Sequence, residues 1–495
     1  MENLRQQVVD LAKAVEFVEG VLGTSAVTFS SKISAFSELY DRIDSLIKQQ
    51  SGRKILSWNR ADHFPELLQW IEKFPGADVS QVEIKEAPGR GYGVYLKESI
   101  SPESERPVIR VPQSACITGS YSSSFAIGRC LSILPLPENL KLVGILMSEV
   151  CQLNESQWSC YLRSLPTDFS TIMHLDPVSL RCLEGSIYFD DVVRRYCNVC
   201  KHYMNSVIAV DIRVTSKGEK KKFASLFTFE LFRWALDVVM TRSNAVPVPG
   251  LNEPIIALIP LLDIINHGKG KDKFSCVSDE SKTFFAELRS TQELNAGEEL
   301  LMSYQPLSVK NRLINNAFVT ADEGIFQLFI DLQSQTEESV KSILGDCDAY
   351  FHRRENGTWE VLGEFLPSGQ VTDLTLTVLR TAVALRERDL CVGKAVPEIF
   401  IPTELTVDKQ VYTIIVRTAT ELLNRFPKAS AEDGHSSALK DCTNVGVAQL
   451  CRDEVAVEKA RLQCIISHNS DQLKSVLKLL VISAKDQRVA VDSAS

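Results

Sequence analysis

Residues 257–267 (ALIPLLDIINH) carry a carboxylate, an amide and an imidazole, those of Asp263, Asn266 and His267, within otherwise apolar sequence. Residues 298–304 (EELLMSY) follow a Gly-Glu turn and end a second apolar run on Tyr304. A polar group carried into such surroundings must find a partner, since leaving it unpaired costs about 1–3 kcal/mol. An isolated Asn-His pair would simply tie loops together; here it is accompanied by further polar candidates. The turn at residues 89–93 (GRGYG) follows one strand pattern and leads into another, so its backbone N–H groups can approach a ligand closely. Its spacing matches neither the dinucleotide fingerprint nor the P-loop. Cys197 and Cys200, with His202 nearby, have metal-like spacing, but no second cysteine pair accompanies them and the surrounding pattern is helical; no metal is expected.

The elements that must position these groups alternate in texture. Residues 1–50 predict two amphipathic helices, with Leu4, Val8, Leu11 and Val15 on one stripe and Phe36, Leu39, Ile43 and Leu46 on the other. A third helix begins near Pro65, with Asp62 as its expected cap and Leu67, Leu68, Trp70 and Ile71 on its buried face. Short strands are expected at residues 82–85, 94–96 and 108–112, separated by glycine and proline. From about 120 to 250 the pattern is helical, closing with a helix capped by Thr228 and ending at residues 241–244. Strands return with the run 257–267 and at 283–289, and helices again from about 320 onward, with stripes at Leu376, Leu379 and Val383 and at Val411, Ile415 and Leu422. Residues 429–437 read as a linker.

At 495 residues the chain is long enough for two or three domains. A net charge of −9 argues against bulk nucleic-acid affinity, and the one basic run, residues 217–222, reads as a solvated loop. No uninterrupted apolar stretch reaches membrane-spanning length, and no secretory signal opens the chain. Thirteen scattered cysteines, an odd number, fit a reducing compartment. The expected setting is the cytoplasm, with the nucleus as alternative, and neither membrane nor nucleic acid as partner.

Four segments in fixed order, residues 60–70 (RADHFPELLQW), 89–93 (GRGYG), 240–244 (MTRSN) and 257–267, resemble the SET-domain methyltransferases of the Rubisco lysine methyltransferase type. Within that group the nearest resemblance is to the branch that methylates a histidine of actin. The resemblance implies an α+β fold: a SET domain of small twisted β-sheets at residues 76–318, interrupted by a helical insert at about 120–250. A helical segment at 1–75 precedes it, and an all-α substrate-binding domain at 319–495 follows. It implies S-adenosyl-L-methionine as cofactor and a protein, actin by this likeness, as substrate. Arg60 and Arg242 then suit the cofactor carboxylate, because a guanidinium binds carboxylate through two parallel hydrogen bonds. Arg90, Gly91 and Tyr92 match the cofactor loop, Asp263, Asn266 and His267 the amino-acid and adenine ends, and Phe318 an aromatic that stacks on adenine. Tyr304 is the expected catalytic tyrosine, orienting nucleophile and methyl.

Asn244 sits where the histidine-modifying relatives place an amide that grips the imidazole ring. An imidazole is largely neutral at pH 7 but needs its tautomer set, whereas a lysine must first lose a proton. Leu262 stands where those relatives carry tryptophan, leaving room that would admit a lysine. Gln305 replaces a usual glycine, and residues 316–318 read Asn-Ala-Phe in place of Ser-Gly-Phe. The expected function is a protein-histidine methyltransferase. The alternatives are a lysine methyltransferase and a binding module that keeps the fold without the chemistry.

Overall fold

A computed structural model describes residues 2–24, 27–50, 56–101, 106–119, 136–213, 218, 227–248, 252–268, 272–278, 284–290, 292–304, 308–320, 324–331, 351–353, 359–391, 404–427 and 445–492. The basic run at 217–222 (save Gly218), Gln305 and the linker reading at 429–437 lie outside these residues. The chain divides into two compact units, Met1–Pro177 with Val192–Gln305, and Val178–Asp191 with Pro306–Ser495.

In the first unit the two N-terminal helices, Glu2–Leu22 and Phe29–Gln50, form where the apolar stripes predict them. Leu11, Val15 and Val18 are buried on the first, Phe36, Leu39 and Ile43 on the second. Polar contacts tie both to the rest of the unit. Arg5 pairs with Asp211 at 2.6 Å and Lys201 with Glu19 at 2.6 Å, both partners lying on the helix Phe189–Arg213. Gln50 donates to the Tyr203 hydroxyl at 2.9 Å and accepts the Phe229 N–H at 2.8 Å. That second bond satisfies one of the amides left free at the start of the helix Phe229–Arg242, beside the Thr228 hydroxyl that accepts from Leu231 N–H. The helix therefore starts at a doubly satisfied end. It stops at Ser243, whose extended backbone sends the chain straight into a strand, leaving Arg242 at the junction.

The strands are short. β1 (Val82–Ala87) and β2 (Gly91–Leu96) form an antiparallel hairpin in register Ala87↔Gly91. β3 (Ile109–Pro112) takes one edge of a sheet ordered β3-β9-β8, with β9 spanning Phe284–Ser290 and β8 Asp272–Ser278. β4 (Ile117–Thr118), β5 (Ser243–Val246) and β6 (Ile255–Leu258) make a third sheet, β6 in the middle. β7 (Asn266–His267) and β10 (Leu301–Met302) pair in parallel, Asn266 opposite Leu301 and His267 opposite Met302.

The run 257–267 is not one strand. Pro260 has no N–H to give a ladder, and Leu261 adopts φ 72°, ψ −44°, a conformation costing a side-chain-bearing residue about 1–3 kcal/mol. The fully buried Leu261 side chain anchors that turn. A single 3-10 turn, Leu262–Ile264, follows before the chain re-extends into β7. The break takes Asp263 out of the strand and places it in the 3-10 turn, while Asn266 and His267 lie on β7.

The second unit carries the helices Asp373–Cys391, Glu404–Leu423 and Val445–Asp492, with Leu379, Val383, Val411 and Ile415 buried as their stripes predict. It also contains a sheet that the helical reading missed: β11 (Phe326–Asp331), β12 (Phe351–Arg353) and β13 (Trp359–Phe365), ordered β11-β13-β12. The two-residue period was there to be read, since Phe326, Leu328 and Ile330 are buried while Phe329 is exposed. In the same unit the long helix buries two acids one turn apart, Glu454 and Glu458. Glu458 accepts from the Ser186 hydroxyl and the Ile187 N–H, while neither Glu454 oxygen has a hydrogen-bond partner among the described residues. Burial, reinforced by the Glu458 charge, pushes Glu454 up to about 8. Burial likewise takes Glu458 up to about 7, its hydrogen bonds opposing the shift.

Candidate active site

Arg60 opens a 3-10 turn, Arg60–His63, that runs into the helix Phe64–Ile71. The cap is Asn59, whose side chain accepts the Ala61 N–H at 3.3 Å; Asp62, the expected cap, instead accepts from the Asn59 amide at 3.1 Å. The turn starts earlier than Pro65 implies, so the residue before Arg60 supplies the capping oxygen. The Arg60 guanidinium lies 5.2 Å from the centre of the Phe64 ring and 5.4 Å from that of Tyr92, and the two rings meet edge to face at 4.9 Å.

Arg242, at the end of its helix, donates to the Asp263 backbone carbonyl at 2.8 Å and lies 3.5 Å from its Oδ2. Tyr161, wholly buried in the helical insert, donates its hydroxyl to the same Oδ2 at 3.2 Å. Asp263 Oδ1, Arg60 Nε and Arg242 Nε are buried without a hydrogen-bond partner among the described residues. Burial raises the Asp263 carboxyl, and Arg242 and Arg60 oppose the rise. Burial, then repulsion from Arg242, lowers Arg60 to about 9, which still leaves it charged at neutral pH. Two half-buried guanidinium groups thus stand against one carboxylate, a surplus of one positive charge.

The β1–β2 turn and β7 meet alongside. Gly91 has φ +77°, which a side-chain-bearing residue adopts only with strain. Asn266 Nδ2 donates to the Tyr92 carbonyl at 3.2 Å and to Glu299 Oε1 at 2.8 Å. Arg90, exposed at the turn, reaches the other oxygen of Glu299. Gly93 is required for space: a Cβ there would stand 2.5 Å from Glu299 Oε1 and 3.1 Å from Asn266 Nδ2.

Tyr304 closes the arrangement. Its hydroxyl donates to the Ile265 carbonyl at 2.7 Å, and its backbone N–H donates to His267 Nδ1 at 3.2 Å. As an acceptor, Nδ1 carries no proton, so the neutral ring holds its hydrogen on Nε2. The two rings lie 5.2 Å apart. Burial pushes the Tyr304 phenol up to about 12, with Arg242 opposing, so it is a neutral hydrogen-bonding group throughout the physiological range.

Asn244 lies on β5 opposite Ala257, its amide turned to the Arg242 carbonyl at 3.4 Å. Leu262 is fully buried beside Asp263. Phe318 belongs to the second unit, where the Arg312 guanidinium lies 5.8 Å from its ring centre. Cys197 and Cys200 are buried on the helix Phe189–Arg213; burial raises Cys197 to about 12 and lifts Cys200 well above the ordinary thiol range, as befits packing thiols. Among the described residues no group of three or more metal-ligating side chains forms. A cavity of about 470 Å³ in the second unit, lined by Tyr188, Phe329, Glu360 and Arg425 among others, includes none of the residues above.

Two residues of the cluster escaped sequence reasoning, Tyr161 and Glu299. Tyr161 lies in a helix with no motif around it. Glu299 had a signal, an acid entering an apolar run just after a glycine turn.

The donor set is matched to an amino-acid zwitterion. The surplus guanidinium charge calls for a carboxylate, and the Tyr92 carbonyl with the Asn266 amide offers oxygen acceptors to an ammonium. The test of fit is that three buried polar atoms of Arg60, Arg242 and Asp263 lack hydrogen-bond partners among the described residues.

No family model matches the chain. It is 26% identical over 287 residues to actin-histidine N-methyltransferase of Mus musculus, covering 57% of this chain and 47% of that protein. With the protein of the same name from Dasypus novemcinctus it shares 28% over 289 residues, 57% of this chain and 48% of that one. The chain thus spans about half the length of these relatives. Among solved structures it is similar to the SET domain of LSMT bound to lysine and AdoHcy, at a TM-score of 0.59 and 17% identity, covering 84% of this chain and 92% of that one. Rubisco LSMT bound to AdoMet gives a TM-score of 0.57 at 18% identity, over 84% and 93%. The chain has the SET-domain fold. No helix among the described residues is long and apolar enough to cross a membrane.

Proposed function

We propose that this SET-fold chain is an S-adenosylmethionine-dependent protein methyltransferase whose target is a histidine side chain of actin, acting in the cytoplasm or nucleus. The observation that carries the reading is the pair of half-buried arginines, Arg60 and Arg242, in surplus over Asp263 and adjoining Asn266, His267 and Tyr304. Arg60 and Arg242 would hold the cofactor carboxylate, and the Tyr92 carbonyl and Asn266 the ammonium. Bound there, the cofactor supplies an activated methyl group on a sulfonium.

The chain then has to orient a nucleophile and keep water away. Tyr304 is suited to orienting the nucleophile, because its phenol stays protonated and its hydroxyl is held by the Ile265 carbonyl at 2.7 Å. His267, held by the Tyr304 N–H, fixes the backbone on which that phenol stands. Asn244, two residues past Arg242, is the amide that would accept an imidazole N–H and leave the other ring nitrogen as nucleophile. That choice of tautomer favours histidine. The alternative, a lysine target, is favoured by Leu262, a smaller side chain than the tryptophan of the histidine-modifying branch.

The test is methyl transfer from labelled cofactor to purified actin, with the modified residue located by mass spectrometry. The expected product is methylhistidine, and Tyr304→Phe is expected to lower turnover by about a hundredfold at little cost in cofactor affinity. Product on lysine would replace the histidine reading. No cofactor binding at all would leave only the binding module.

A further inference from the structure

We infer that Glu299 is a positioning residue that locks the Asn266 amide in one orientation and so makes the proposed cofactor subsite selective for an amine. The inference rests on the cofactor reading above. It begins with what surrounds the amide. Asn266 Nδ2 has two neighbours, Glu299 Oε1 at 2.8 Å and the Tyr92 carbonyl at 3.2 Å. A carboxylate and a backbone carbonyl only accept hydrogen bonds. Turned over, the amide would set its own oxygen against both of them. The chemistry of the neighbours therefore dictates which end of Asn266 faces inward, and leaves Oδ1, an acceptor, as the end that remains available. An ammonium, which only donates, matches it.

Glu299 is itself held in place. Arg90 engages its second oxygen, and its side chain is only 11% exposed. Backbone pairing fixes its height against the hairpin: Tyr95 and Glu299 form a bridge, and Leu300 N–H donates to Val94 O at 2.8 Å. Gly93 leaves the gap through which the carboxylate reaches the amide. A neutral side chain of the same shape, glutamine, would offer Asn266 either an oxygen or an NH2 group, so only the Tyr92 carbonyl would still favour one orientation of the amide.

The experiment compares equilibrium binding of S-adenosylhomocysteine with that of its deaminated analogue, in which a keto oxygen replaces the amine. Calorimetry is run on the full chain and on Glu299→Gln, Glu299→Asp and Arg90→Gln. The unaltered protein is expected to prefer the amine by about tenfold or more, the size of one hydrogen bond to a charged group. Glu299→Gln is expected to lower that ratio severalfold, the Tyr92 carbonyl remaining as an acceptor. Glu299→Asp, whose shorter side chain draws the carboxylate back from the amide, should lower it too and serves if the glutamine variant does not fold. Arg90→Gln cuts the outer tether but keeps the carboxylate, so it should retain the preference. An undiminished ratio in Glu299→Gln and Glu299→Asp, or an equal loss in Arg90→Gln, overturns the inference while leaving the cofactor reading intact. If the unaltered protein binds neither ligand, the cofactor reading falls and takes the inference with it.

Discussion

Replacing Arg242 with methionine should expose how much of the site is held by one ion pair. Arg242 lies 3.5 Å from Asp263 Oδ2, and the Asp263 side chain is 1% exposed. At an effective dielectric of about 20 the attraction is roughly 5 kcal/mol, from which the desolvation of the guanidinium must be subtracted. Methionine removes that desolvation but leaves Asp263 buried with the Tyr161 hydroxyl and the more distant Arg60 charge. The net loss of stability near pH 8 should be about 3 kcal/mol, the range for a buried charge stripped of its partner. The pH dependence identifies the cause. Arg242 is the largest influence opposing the burial-driven rise of the Asp263 carboxyl, so its removal raises that group further. A carboxyl whose folded pKa exceeds its unfolded value holds more protons in the folded state, so stability falls as pH rises between the two. The Arg242→Met penalty should therefore be full above the folded pKa and shrink on acidification toward the unfolded value of about 3.9. Urea denaturation of both proteins at pH 5 and pH 8 measures it, because contributions common to both cancel in the difference. A penalty of equal size at both values, or below about 1 kcal/mol, would mean that Asp263 is not held as a charge by Arg242.

Two other perturbations follow from the geometry. Glu454 and Glu458, raised by burial to about 8 and about 7, also hold protons in the folded state that the unfolded chain releases, so the second unit should lose stability as pH climbs from about 4.5 to 8 and level off above; Glu454→Gln should flatten that slope, as followed by denaturation across the range. Gly93→Ala places a methyl 2.5 Å from Glu299 Oε1, forcing the carboxylate off the Asn266 amide. Calorimetry should show cofactor affinity falling about tenfold or more, and unchanged affinity would show that the carboxylate can yield without cost.

Much of the fold was legible because local rules govern it. The stripes at Leu11 and Val15, at Phe36 and Leu39, and at Val411 and Ile415 bury as their spacing predicts, and Thr228 caps its helix. Where local rules compete, the reading slipped. Asn59 rather than Asp62 caps the turn at Arg60, because a 3-10 start shifts the free amides by several residues. The strand β11 was read as part of a helical region, although Phe326, Leu328 and Ile330 alternate.

Sequence by itself determined which residue types stand at the site, since arginines, an Asn-His pair and a tyrosine in fixed order point to one class of chemistry. It could not determine their partners. That Tyr161 donates to Asp263 across 102 residues, and that Glu299 bridges Arg90 and Asn266 across 209 and 33, follows from how the helical insert, the hairpin and the parallel pair β7–β10 pack. The reason is physical: periodicity records whether a side chain faces apolar surroundings, whereas a hydrogen bond between distant segments depends on distance and angle, which only the packed chain sets. The turn at Leu261 is the clearest case: Pro260 marks a break in the strand, but the positive φ of the leucine that follows leaves no mark in the sequence.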